Sequence, residues 1–337
     1  MIEKEIQKIS KSLLQDGVSF EDKKILVTGG AGFLGSWVCD VLIEQGALVI
    51  CVDNLASGKE ENIAHLIGNG LTYIKHDIAT PFLLDDDVDL VIHMASRASP
   101  FEFAKHPIQI LKANTLGIWV ALGIAKKHRA RFLYTSTSEV YGNPDDKNIP
   151  TLESYNGNVN PVGPRGCYDE AKRAGEAFVT AYHVQHGLDT RIVRIFNTYG
   201  PRMRGDDIYG RVVPRFIEQA LDTVPLTIFG DGSQTRPFTY ITDEIEGILR
   251  LAFKDNLKNP VVNIGNNKET SILELAEKVC SITGSEIKLE FKPLPIDDPE
   301  RRCPDITKAK KLLGWQPKVG LDEGLKKFVD YLRSLNE

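Results

Sequence analysis

Ile25-Leu26-Val27, followed by Gly29-Gly30-Ala31-Gly32-Phe33-Leu34-Gly35, is the stretch on which the fold turns. The branched apolar run reads as a buried strand. Glycines at 29, 32 and 35 permit a tight turn, close approach of a pyrophosphate and close packing of the helix that follows. The N-terminus of that helix offers free N–H groups and a positive dipole to phosphate. Leu48-Val49-Ile50-Cys51-Val52 reads as the second strand, and Asp53 stands at its end, 18 residues past Gly35, where a ribose-binding carboxylate is expected. Its charge would repel a 2′-phosphate, which favours NAD over NADP. Lys59 close by works against that preference.

The same texture continues outward. Leu90-Val91-Ile92, Phe132-Leu133-Tyr134 and Ile192-Val193-Arg194-Ile195 read as further buried parallel strands. Helical patterns lie between them, from Ile108 to Lys127 and from Tyr168 to His186. Strand–helix alternation predicts an α/β fold, a doubly wound parallel sheet with right-handed crossovers. Ligands then bind beyond the carboxyl ends of the strands. Residues 143–166 hold four prolines and read as a long functional loop. After Gly200-Pro201, shorter elements and many turns predict a smaller C-terminal α/β domain that holds substrate. The expected division is a helical extension over 1–21, a nucleotide-binding domain over 22–196 to which 237–265 returns, and a substrate domain from 197–236 and 266–331. In the extension, Ile2, Ile6, Ile9 and Leu13 share one helical face.

Composition narrows the partners. The 337 residues carry a net charge of -5, which excludes a general attraction for nucleic acid. No apolar run approaches the roughly 18 residues of a membrane span, so no membrane partner is expected. Met1-Ile2-Glu3-Lys4-Glu5 does not read as a signal peptide. The five cysteines (Cys39, Cys51, Cys167, Cys280, Cys303) lack metal or redox spacing. They read as free thiols of a cytoplasmic protein, and no metal site is expected.

Tyr168 and Lys172 lie one helical turn apart and share a face. A phenol with a reference pKa near 10 takes an alcohol proton at neutral pH only if its anion is favoured, and a cation alongside does that. Lys172 can also hold the nicotinamide ribose. Thr137 or Ser136, at the end of a strand, can bond the reacting hydroxyl.

At this point the chain resembles the extended short-chain dehydrogenase/reductase superfamily, and within it the UDP-glucuronate decarboxylases. The resemblance rests on Thr135-Ser136-Thr137-Ser138-Glu139-Val140-Tyr141-Gly142, Gly157 to Pro161, Pro164-Arg165, Cys167-Tyr168-Asp169-Glu170 and Arg194 to Met203. It continues through Gly210-Arg211-Val212-Val213, Gly230 to Arg236 and Pro304 to Lys310, and spans residues 22–331. It implies a bound NAD and a UDP-sugar whose 4-hydroxyl is oxidised, whose carboxylate then leaves as carbon dioxide, and whose C4 is reduced again. Tyr168, Lys172, Thr137, Ser138, Glu139 and Arg236 are the implied catalytic set. The related dehydratases carry Asp where Ser138 stands, so dehydration lacks its acid here. Glu139 would orient water or the ring near C5, and its other reading is a cap on the next turn. Arg236 would place the substrate carboxylate or assist C5 protonation, or contact the diphosphate. The implied cofactor contacts are Gly29, Gly32, Phe33, Leu34, Gly35, Asp53, Asn54, Ser57, Gly58, Asp77, Ile78, Ala95, Asn114 and Thr135, together with Tyr168 and Lys172. Asn197, Arg211, Arg236 and Arg302 are implied around the UDP group. A homodimer through a four-helix interface, from helices near 105–128 and 168–187, is implied as well. A UDP-sugar 4-epimerase is the alternative. Cys303 and Ser96-Arg97 depart from the family pattern.

Overall fold

The computed structural model describes residues 1–205 and 211–335. Seven strands form one parallel sheet in the order β11-β6-β5-β4-β1-β2-β3. They are β1 (Lys24–Thr28), β2 (Leu48–Asp53), β3 (Leu71–Lys75), β4 (Leu90–His93), β5 (Arg131–Thr137), β6 (Thr190–Ile195) and β11 (Val261–Ile264). The central strands are buried on both faces, which is why they read as continuous apolar runs. The edge strand β3 is only half-buried, and the sequence shows it weakly. The doubly wound parallel architecture expected from the alternation is what the chain adopts.

Helices α1 (Ile2–Gln15), α2 (Phe33–Glu44), α3 (Pro100–Lys105), α4 (Pro107–His128) and α5 (Gly166–His186) precede β6. The bridging pair β7 (Thr198–Tyr199) and β10 (Thr239–Tyr240) flanks α6 (Val212–Leu221), β8 (Leu226–Phe229) and β9 (Thr235–Arg236). Then come α7 (Ile241–Phe253), β12 (Thr270–Ser271), α8 (Ile272–Thr283), β13 (Leu289–Lys292), α9 (Thr307–Leu313) and α10 (Leu321–Leu335). β8 pairs with β13 and β9 with β12, giving small sheets beyond the carboxyl ends of the large one.

The N-terminal helix buries Ile6, Ile9 and Leu13 in the main core and packs on α2 and α7. Glu5 of its buried face pairs with Lys327 at 3.1 Å, and Asp16 at its end pairs with Arg250. One expectation needs correction. α4 is long and apolar enough, by length and composition, to cross a bilayer. The sequence reading missed it because isolated Lys112 and Asn114 interrupt the run. In the fold this helix lies against β4, β5 and α5, with Ile110, Ile118, Leu122 and Ala125 turned into the core.

Candidate active site

The turn after β1 is shaped by close approach. Gly29 has φ +74°, and a Cβ there would lie 2.7 Å from Cα of Ala95. A Cβ on Gly35 would lie 2.1 Å from the Gly29 carbonyl oxygen. No side chain caps the N-terminus of α2 at Gly32, so its first N–H groups face the cavity free for phosphate. Asp53 closes β2 with Oδ2 accepting from Ala31 N–H at 3.0 Å and Oδ1 from Leu55 N–H at 2.8 Å. Burial pushes its carboxyl up, while those two bonds hold it down. Each oxygen keeps a lone pair for a ribose hydroxyl. The glycine cradle, open helix end and oriented carboxylate fit a dinucleotide. Gly35→Ala is therefore expected to abolish cofactor binding, read as loss of NAD in the purified protein, because backbone rather than a movable side chain meets the new methyl.

These residues line a cavity of about 720 Å³ that runs from the glycine turn to Arg302. Of the expected cofactor contacts, Gly29, Gly32, Phe33, Leu34, Gly35, Asp53, Asn54, Ser57, Gly58, Asp77, Ile78, Ala95 and Thr135 all lie on its wall. Asn114 does not. It is fully buried, donates to Ser96 Oγ and to the Ile110 carbonyl, and its Oδ1 has no partner. Thr135 donates its hydroxyl to the His93 carbonyl at 3.0 Å.

Tyr168 and Lys172 enter the cavity from the first turns of α5. Lys172 Nζ donates to the Thr135 carbonyl at 2.8 Å and lies 5.8 Å from the Tyr168 ring centroid. The Thr137 hydroxyl stands near the Tyr168 phenol and favours its anion. The tyrosine ring stacks on Phe103 of α3, centroids 4.7 Å apart and planes 17° from parallel. Burial, then the Glu139 charge, pushes the phenol well up, and burial pushes Lys172 down to about 7 against the pull of Glu176. Ser136 is withdrawn as a partner of the reacting hydroxyl. Its Oγ donates to Glu176 at 2.6 Å, and Arg194 grips the same carboxylate with two bonds.

Beyond Tyr168 lies a charge cluster. Glu139 sits in a short turn over Ser138–Tyr141, where Thr137, not Glu139, provides the cap, accepting from Glu139 N–H at 3.3 Å. The Glu139 carboxylate accepts from Arg302 with both oxygens and from Arg165. Burial raises its pKa, but the two guanidiniums outweigh burial and hold the group at about 2. It is a fixed anion at neutral pH and holds no proton to give. Asp169, beside Tyr168 in sequence, is pushed up to about 7 by burial and by Glu139. Arg236 donates to Asp298 at 2.8 Å, and burial pushes it down to about 10.

Of the expected substrate contacts, Asn197, Arg211, Arg236 and Arg302 all line this end of the cavity, as does Ser138. Asn197 Oδ1 is buried without a partner. Gly210, quoted with Arg211, lies outside the described residues. Arg97 also lines the cavity and pairs with Glu102 of α3. Arg165, Asp169, Asp298 and Phe103 were not singled out from sequence. Arg165 and Asp169 left a trace there, within Pro164-Arg165 and Cys167-Tyr168-Asp169-Glu170.

Comparison with known proteins agrees with this arrangement. The profile of the NAD dependent epimerase/dehydratase family matches residues 25–265. UDP-glucuronic acid decarboxylase 1 of Arabidopsis thaliana is 47% identical over 95% of this chain and 73% of its own length. The solved UDP-glucose 4-epimerase of Thermotoga maritima, with UDP-glucose, has a TM-score of 0.84 at 34% identity, covering 93% of this chain and 100% of that one. The UDP-glucuronic acid 4-epimerase of Bacillus cereus, in complex with UDP-glucuronic acid and NAD, has a TM-score of 0.81 at 31% identity, covering 93% and 99%. Glycine turn, ribose carboxylate, Tyr168–Lys172 pair and sheet order thus converge, and the chain belongs to the NAD dependent epimerase/dehydratase family.

Proposed function

We propose that this chain is an NAD-dependent UDP-glucuronate decarboxylase that forms UDP-xylose and carbon dioxide. The observation that carries the reading is one juxtaposition. A proton-accepting tyrosine and a cluster of three guanidiniums, Arg165, Arg236 and Arg302, share one cavity. The first suits a sugar hydroxyl and the second a sugar acid. The decarboxylase relative supports the choice.

Tyr168 and Thr137 hold the 4-hydroxyl between them, and Tyr168 would take its proton with the charge of bound nicotinamide favouring the phenolate that burial and Glu139 disfavour. NAD, which the Gly29–Gly35 turn, Asp53 and Lys172 would hold, would supply the hydride acceptor for C4 and the donor that restores it. The C4 ketone makes the C6 carboxylate a β-keto acid. The C5–C6 bond then breaks, its electron pair passes to the C4 oxygen, and carbon dioxide leaves. Arg236 places the carboxylate and assists protonation of the enolate at C5. Glu139, pinned between Arg165 and Arg302, keeps those cations in place. Ser138 supplies no acid for expelling a hydroxyl. Asn197, Arg211 and Arg302 serve the UDP group, in the substrate portion formed by 197–236 and 266–331.

Proton NMR of purified protein with UDP-glucuronate is the test. UDP-xylose with release of carbon dioxide is expected. UDP-galacturonate without carbon dioxide would make the protein a 4-epimerase, the activity carried in the name of the Bacillus cereus protein.

The protein is further proposed to be a homodimer. Ile108, Leu116 and Trp119 form an exposed apolar stripe on α4, and Val184 stands exposed on the neighbouring α5. Trp119 is 54% exposed and shares its helix with exposed Ile108 and Leu116 rather than standing singly. Trp119→Glu is expected to halve the mass measured by light scattering. An unchanged mass would move the interface elsewhere or make the protein a monomer. A cytoplasmic location belongs to the same proposal, supported by five cysteines that are all free.

A further inference from the structure

The loop after β13 carries a carboxylate into the charge cluster. Asp298 lines the cavity, and its Oδ2 accepts from Arg236 Nη2 at 2.8 Å. Its Oδ1 lies 3.9 Å from Arg165 Nη1. The remaining bonds of Arg236 go to the backbone carbonyls of Thr235 at 2.8 Å and Glu300 at 3.2 Å. Asp298 is thus the carboxylate that pairs with this buried cation.

The three acids of the cluster are not equivalent. Glu139 is bound by two arginines and its side chain is 14% exposed; Asp169 lies deeper, at 6%. Asp298 is 26% exposed and sits on an irregular loop rather than a helix or strand. It is the anion that solvent reaches most readily and that regular structure holds least.

We infer that Asp298 is an internal stand-in for the substrate's carboxylate: it holds Arg236 until an acidic sugar takes its place, and so tempers the affinity for acidic sugars while leaving that for neutral sugars alone. This rests on the proposed UDP-glucuronate reading and deepens it. Arg236 is buried, so leaving it unpaired is strongly unfavourable. Exchanging one carboxylate for another keeps it paired throughout, with no bond made and no proton moved. A neutral sugar offers no such exchange. It binds with Asp298 still paired to Arg236. The intramolecular rival lowers the affinity for the acid itself, because part of the binding energy goes into displacing it.

The test uses NAD-loaded Tyr168→Phe protein, which binds sugar without turning it over, and titration calorimetry with UDP-glucuronate, UDP-glucose and UDP. Adding Asp298→Asn is expected to lower the Kd for UDP-glucuronate about tenfold, because the rival charge is gone. The Kd for UDP and for UDP-glucose should move less than about twofold. Asp298→Glu restores the carboxylate and should return the UDP-glucuronate Kd to its starting value, which separates charge competition from a rearranged loop. An unchanged or raised Kd for UDP-glucuronate in Asp298→Asn overturns the inference, as does an equal fall for UDP. If Tyr168→Phe protein binds UDP but not UDP-glucuronate, the substrate reading itself falls and takes this inference with it.

Discussion

Tyr168→Phe lowers kcat about a thousandfold, the scale of losing a general base, while the protein keeps its fold and its NAD. The substitution removes one oxygen and leaves the ring. The stack on Phe103 at 4.7 Å and the burial of the side chain are therefore unchanged. Lys172 still donates to the Thr135 carbonyl, so the cofactor side of the site stays built. What disappears is the phenol oxygen near the Thr137 hydroxyl at the carboxyl end of β5. The direct readout is the absorbance of reduced nicotinamide in a single turnover with UDP-glucuronate, which should vanish along with carbon dioxide. A variant that kept more than about a tenth of the parent rate would remove Tyr168 from proton transfer, since such loss is too small for a missing general base.

Glu139→Gln is expected to be the most damaging change to stability in the site, about 3 kcal/mol, because it leaves two buried guanidiniums facing a neutral amide. Arg302 loses its anion, and Arg165 is left with Asp169 at 3.6 Å and Asp298 at 3.9 Å. Catalysis should fall as well, since both cations line the cavity. The pH dependence gives a second signature. Glu139 is held at about 2 in the folded protein against an ordinary 4.5. A depressed carboxyl contributes stability that is complete above pH 4.5 and is lost as pH falls through that window towards 2. Asp169 works the other way. Raised to about 7 from 3.8, it contributes stability that is complete below pH 3.8 and is lost as pH rises towards 7. Together they place a local maximum in stability at about pH 4. In Glu139→Gln the acid-side rise disappears, and the alkaline-side fall shrinks because Glu139 is one of the charges raising Asp169. Denaturant titrations from pH 3 to 8 on both proteins check this. Parallel curves for parent and variant would mean that Glu139 is not ionised against its arginines.

The helix and strand elements were legible because their signals are local. A strand buried on both faces shows a run of branched residues, and an amphipathic helix repeats every three to four residues. The glycine turn, Asp53, and the Tyr168–Lys172 spacing belong to the same local class. Where sequence reasoning went wrong, the missing information was direction. Thr135, Ser136 and Thr137 are consecutive hydroxyls on one strand end. Only the register of β5 between β4 and β6 decides that the first bonds His93, the second bonds Glu176 and the third faces Tyr168. Asn114 is similar: its place on α4 was readable, but not that its amide turns to Ser96 rather than to the cavity.

The sequence by itself determined the sheet, the glycine turn and the Tyr168–Lys172 pairing on one helix face, since each is carried by residues within one or two turns of chain. The tertiary structure alone decided the charge cluster. Its bonds join Glu139 to residues 26 and 163 positions away, and Arg236 to one 62 positions away. No periodicity links such partners. They meet because β5, α5, β9 and the loop before Arg302 converge at the carboxyl end of the sheet, where burial turns ordinary surface charges into a mutually dependent set.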